Sequence, residues 1–128
     1  MVKKEINNTY YYTPAIGWGI LICYFSIMPG NEVPAMLKSV ADFLLHFLIY
    51  ATLGVLCVYG ANRFSKFKIS NATLWRIVII CSAMGLAIEI IQESFIDGRH
   101  FQLSDLFFNT LGVFLSVPLN HFLLKSRL

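Results

Sequence analysis

Charged side chains are scarce in this chain of 128 residues, at 13%, about half the share of an ordinary soluble domain. That removes the basis for a soluble globular fold. The ten Lys and Arg leave a formal charge of +3, but they sit in short flanks and form no stripe, so nothing points to a nucleic-acid partner. Cysteine is also sparse. Cys23, Cys57 and Cys81 each stand alone in an apolar run, none spaced with a second Cys or a His as in a zinc or redox motif, and they read as small packing residues. There is no His-x-x-x-His cluster, and no stretch is left over for a separate soluble domain. The chain reads as one domain, residues 1–128.

What is present is apolar. With 57% apolar residues, 15% aromatics and a mean hydropathy of +0.66, the composition predicts an all-α polytopic membrane protein. About 20 apolar residues cross the hydrocarbon as a helix, and the pattern divides into four transmembrane helices at about residues 13–28, 39–60, 72–95 and 104–124. Pro14 is tolerated in the first turn of the first span, and Pro29-Gly30 closes it. Val33-Pro34-Ala35 has the form of a signal-peptide cleavage site, but the preceding run is long and rich in bulky aromatics, which argues for a retained span. Asp97-Gly98 marks a turn with positive φ, Ser104 is a candidate cap for the fourth span, and Pro118 is expected to bend or loosen its later half.

Each of the last three spans carries polar and small residues at helical spacing on one face. In the second these are Asp42, His46, Tyr50, Gly54 and Cys57. In the third they are Ser82, Gly85, Glu89 and Gln92, and in the fourth Asp105, Asn109, Gly112, Ser116 and Asn120. Small residues let helices approach closely in lipid, so the stripes are expected to meet. Ionisable groups there cost roughly 2.5–3.5 kcal/mol on insertion scales and are seldom kept without a use. The stretch from residue 87 to 116 is therefore the expected working part.

Seven of the ten Lys and Arg fall in the N-terminal segment, the 60–72 loop and the C-terminal tail, against Lys38 and Arg99 in the other two loops. The positive-inside rule then puts both termini in the cytoplasm. The polar ends of three spans, with six of the seven acidic residues, fall on the extracytoplasmic side, around a cavity at outer-leaflet level. On that placement, Asn7-Asn8-Thr9 and Asn71-Ala72-Thr73 are chance matches to the glycosylation pattern.

The order and spacing of Asp42, His46, Phe47, Tyr50, Leu53 and Gly54, then Glu89, Gln92, Arg99, Asp105, Asn109 and Gly112, resemble the VanZ-like family of small bacterial membrane proteins over about residues 39–116. Phe43 stands where that family usually has Lys, and Ser116 where a second Gly is usual, so a cationic role for that Lys does not carry over. The resemblance implies a multi-pass protein of the bacterial cytoplasmic membrane, in a family whose founding member is linked to teicoplanin resistance. It supplies no reaction.

Four readings of the polar residues follow. The cavity binds the head of an envelope lipid, or the acyl chain and sugar of a lipoglycopeptide, with Arg99 facing an anionic group and Tyr50, Gln92 and Asn109 as further contacts. Alternatively, Asp42, His46, Glu89 and Asp105 are catalytic and hold Zn, Mn or Mg for transfer or hydrolysis of a lipid-linked group; the sequence leaves the cofactor open. A third reading is a proton relay in a small transporter, against which stands the apolar inner half. In the fourth, the same residues form a hydrogen-bonded plug that fixes helix register. His46 is expected to bond Asp42 across one helical turn. Glu32, Glu93, Asp97 and His100 read as solvated loop charges, His121 as interfacial, and the Tyr50 ring as packing with its hydroxyl bonded to a neighbour.

Overall fold

The structure is a computed structural model that describes residues 8–32, 34–38, 42–65, 69–96, 98 and 101–125. All regular elements among the described residues are helical, as the sequence predicts. A 3-10 turn, Asn8–Tyr12, leads into α1 (Thr13–Ser26). A second 3-10 turn and the short α2 (Ala35–Lys38) follow, then α3 (Asp42–Phe64), α4 (Asn71–Phe95) and α5 (Leu103–Lys125). Pro14 lies in the first turn of α1, where a missing backbone donor costs nothing. Ser70 caps α4, its Oγ accepting from Thr73 N at 3.2 Å. The loop between α4 and α5 turns at Gly98, φ 77°, the positive value expected there. Ser104 does not cap α5, because the helix has already begun at Leu103 and the Gln102 carbonyl accepts from Asp105 N. The helix also continues through Pro118 without interruption.

Cross-helix contacts give the arrangement. His46 meets Asp105 and Asn109, and Gly54 meets Val113 and Ser116, so α3 and α5 run parallel, and theirs is the most extensive contact in the molecule. Helix α1 runs antiparallel to α3: Tyr12 packs on Gly60, while the Trp18 indole N–H donates to the Ile49 carbonyl at 3.0 Å. Beside α4 it runs parallel, with Gly19 near Met84 and Ser26 near Gln92.

Apolar and polar residues are distributed opposite to a soluble protein. Ile16, Ile20, Leu44, Leu48, Ile79, Ile80 and Leu115 are exposed, whereas Glu89, Gln92, Asp105, Asn109 and Ser116 are buried. Helices α3 and α4 are long and apolar enough to cross a membrane, yet only 28% of the apolar stretch of each is buried. The core helix of a soluble protein hides most of such a surface. Helix α1 has 14 residues, about 21 Å at 1.5 Å per residue, which is short of a hydrocarbon layer about 30 Å thick. In α5 the apolar described part is Leu103–Leu119.

The α3–α5 approach depends on two glycines. A Cβ on Gly112 would run into the Phe47 carbonyl and come within 2.9 Å of the Ala51 amide nitrogen. One on Gly54 would lie 2.6 Å from Ser116 Oγ and 3.2 Å from Val113 Cα. Backbone cannot step aside as a flexible side chain can. Gly17 has open space around it. Gly112→Ala should therefore destabilise by about 1–3 kcal/mol, the usual range for overpacking, and lower the melting temperature in detergent. Gly17→Ala should be neutral, or stabilising by up to about 1 kcal/mol through helix propensity. Equal behaviour of the two variants would contradict this packing.

Candidate functional site

The polar stripes converge at the end of the bundle where α3 and α5 begin and α4 ends. Glu89 lies six residues before the end of α4 and Asn109 six after the start of α5, about 9 Å in from either helix end. The His46 side chain reaches from α3 to two partners on α5. Its Nδ1 lies 2.9 Å from Asn109 Oδ1, and its Nε2 lies 3.4 Å from Asp105 Oδ2. An amide oxygen only accepts, so Nδ1 carries a hydrogen and donates. That leaves Nε2 facing the Asp105 carboxyl. Both His46 nitrogens are turned to α5, and the expected turn-to-turn bond to Asp42, which opens α3, falls on a side chain outside the described residues. The whole of Arg99 also lies outside them.

Asn109 occupies the centre. It is 1% exposed, and its Nδ2 lies 3.0 Å from where a Cβ of Gly85 would be. The Tyr50 ring and hydroxyl lie 3.4 Å from that same point. The absence of a side chain at Gly85 thus gives Asn109 and Tyr50 their space. Glu89 on α4, also 1% exposed, completes the group. One donor atom each from His46, Glu89 and Asp105 lies within 4.8 Å of the others, and an imidazole with two carboxylates is a donor set suited to a divalent transition ion.

Beside this cluster is a cavity of about 400 Å³, within the usual size range of small-molecule sites. His46, Tyr50, Glu89, Gln92 and Asn109 lie on its polar side. Trp18, Leu21, Ile22 and Phe25 of α1 face Leu45, Leu48 and Ile49 of α3 on the other. Leu21, Leu48 and Thr52 are also exposed, so the cavity opens sideways between α1 and α3. Gln92 spends one amide donor on the Ser26 carbonyl at 3.0 Å, which anchors the end of α1 against α4 while the residue still borders the cavity.

Thus the structure brings together His46, Tyr50, Glu89, Gln92, Asp105 and Asn109. Three features were not readable from the stripes. The apolar wall comes from α1, which has no polar stripe; the only hint was Trp18, whose indole N–H needs an acceptor when covered. Glu93 is exposed but is more than a solvated charge, because its Oε2 accepts from Phe101 N at 2.6 Å and ties down the loop before α5. Cys57 and Cys81 also meet, with sulfurs 3.9 Å apart, although they are 24 residues apart in the chain.

A sequence profile of the VanZ/LLP1 family matches residues 11–124, which takes in α1, α3, α4, nearly all of α5 and every residue of this cluster. Comparison with curated proteins and with solved structures gives no match. With a match over nearly its whole length, the chain belongs to the VanZ/LLP1 family.

Proposed function

We propose that this is a multi-pass protein of the bacterial cytoplasmic membrane whose cavity binds an acylated envelope molecule, either an envelope lipid or a teicoplanin-type lipoglycopeptide. On this reading it contributes to glycopeptide tolerance. The observation that carries the proposal is the form of the cavity. The cavity is lined by apolar side chains of α1 and α3 together with His46, Glu89, Gln92 and Asn109, which suits a ligand that carries both an acyl chain and hydrogen-bonding groups. The sideways opening lets such a molecule enter from the lipid without crossing water. Family membership agrees with an envelope role of this kind.

The orientation belongs to the same proposal. Lys and Arg are concentrated at both termini and in the 60–72 loop, which supports cytoplasmic termini and puts the polar cluster on the extracytoplasmic side, where glycopeptides act. A single cysteine at Asp97 in an otherwise cysteine-free variant should react with an impermeant maleimide in intact cells, and one at Lys66 should not. The reverse pattern would contradict the orientation.

The bonds of His46 to Asp105 and Asn109 also support a purely structural reading, in which the cluster only ties α3 to α5. The two readings part on isosteric substitution. An amide keeps the shape of a carboxylate and sheds a buried charge, which is often neutral or stabilising. If the cluster recognises a ligand through charge, Glu89→Gln and Asp105→Asn should abolish teicoplanin tolerance in a sensitive host, with protein level and melting temperature close to wild type. Full tolerance in both variants would leave only the structural tie.

A further inference from the structure

We propose that His46, Glu89 and Asp105 form a binding site for one first-row divalent transition ion, with Zn²⁺ the best fit, at the polar end of the cavity. Three observations carry this inference. The first is spacing. Zinc bound at about 2.1 Å to nitrogen and oxygen sets ligands roughly 3.4 Å apart along the edge of a tetrahedron, and His46 Nε2 lies 3.4 Å from Asp105 Oδ2. The whole set spans 4.8 Å. Bringing the widest pair to the tetrahedral edge takes side-chain movement of at most about 1.4 Å in all.

The second observation is the orientation of His46. Its Nδ1–H is given to Asn109 Oδ1 at 2.9 Å, the arrangement by which a ligating imidazole is held, with the far nitrogen turned toward the metal. That nitrogen faces a carboxyl oxygen, and a metal ion between the two would take a lone pair from each. The third is composition. One neutral imidazole and two carboxylates balance a divalent ion, and the nitrogen ligand favours Zn²⁺ over Mg²⁺ or Ca²⁺. Three protein ligands leave a position open, as zinc sites that act on substrates do. His46 and Glu89 also border the cavity, so the ion would adjoin whatever the cavity holds.

The inference is independent of the lipid reading, because ion binding is measured without a cavity ligand. The full chain, purified in detergent and stripped with a chelator, is titrated with Zn²⁺ and with Co²⁺, and its zinc form is measured by X-ray absorption. One ion per chain is expected, with one imidazole and otherwise oxygen in the coordination shell. Glu89→Gln and Asp105→Asn should remove that binding. Asn109→Ala should weaken it about 10–100-fold, the usual effect of losing the partner that orients a ligating His, and Glu93→Gln should leave it unchanged. Absence of stoichiometric binding by the wild-type chain would overturn the proposal, as would undiminished binding in Glu89→Gln. Sulfur in the shell would overturn it too. It would point to Cys57 and Cys81, since Cys57 lies eleven residues beyond His46 on α3, about 16 Å away. If a variant fails to fold, the wild-type stoichiometry and coordination shell decide alone.

Discussion

Where Gly112 of α5 faces Phe47 and Ala51 of α3, the two backbones come so close that a single methyl group has no room. Further along the same pair, Gly54 lies against Ser116 and Val113. In lipid, apolar surface alone does not drive helices together, and close packing of small residues takes over that role. The register set at these glycines puts His46 beside Asp105 and Asn109. Gly85 applies the same device from α4, leaving the space that the Asn109 amide and the Tyr50 ring occupy. The polar cluster is thus held by close approach of backbone around it as well as by its own hydrogen bonds.

Because the exterior is apolar and the carboxylates lie inside, the buried carboxylates among the described residues gather at one pocket near one end of the bundle. Its entrance is formed by α1, a 14-residue helix joined to α4 through Gln92 and Ser26 and to α3 through Trp18 and Ile49. Such a helix walls one side of the cavity with apolar side chains. A cluster that served only to fix register would need neither the α1 wall nor the cavity beside it.

Much of this was legible in the sequence because helical spacing projects a stripe onto one face. From that spacing His46, Tyr50 and Gly54, Gly85, and Asp105, Asn109 and Ser116 are expected to face one another, and they do. Gly112 instead meets Phe47 and Ala51, and Gln92 reaches Ser26 of α1. Local signals also served where the backbone itself decides, as at Gly98. What the sequence left out were contacts between segments that carry no periodic signal. The partners of the His46 nitrogens on α5 depend on how α5 is seated against α3, which the periodicity of a single helix does not give. Glu93 looked like an ordinary surface charge because its acceptor role depends on the return of the loop to Phe101. The meeting of Cys57 with Cys81 depends on the pairing of α3 with α4. At Ser104, a good capping residue falls two residues too late, since the Gln102 carbonyl has already started the helix.

The central claim is that the slot between α1 and α3 holds an acyl chain. Its most direct test uses a phospholipid with a photoactivatable group in its acyl chain, incorporated with the full chain into vesicles and mapped by mass spectrometry after irradiation. The account predicts labelling of Trp18, Leu21, Phe25 and Leu48 above that of Ile79, Ile80 and Leu115 on the outer surface, and loss of that excess when a teicoplanin-type lipoglycopeptide is added. Even labelling over the exposed apolar surface, unchanged by the competitor, would contradict it.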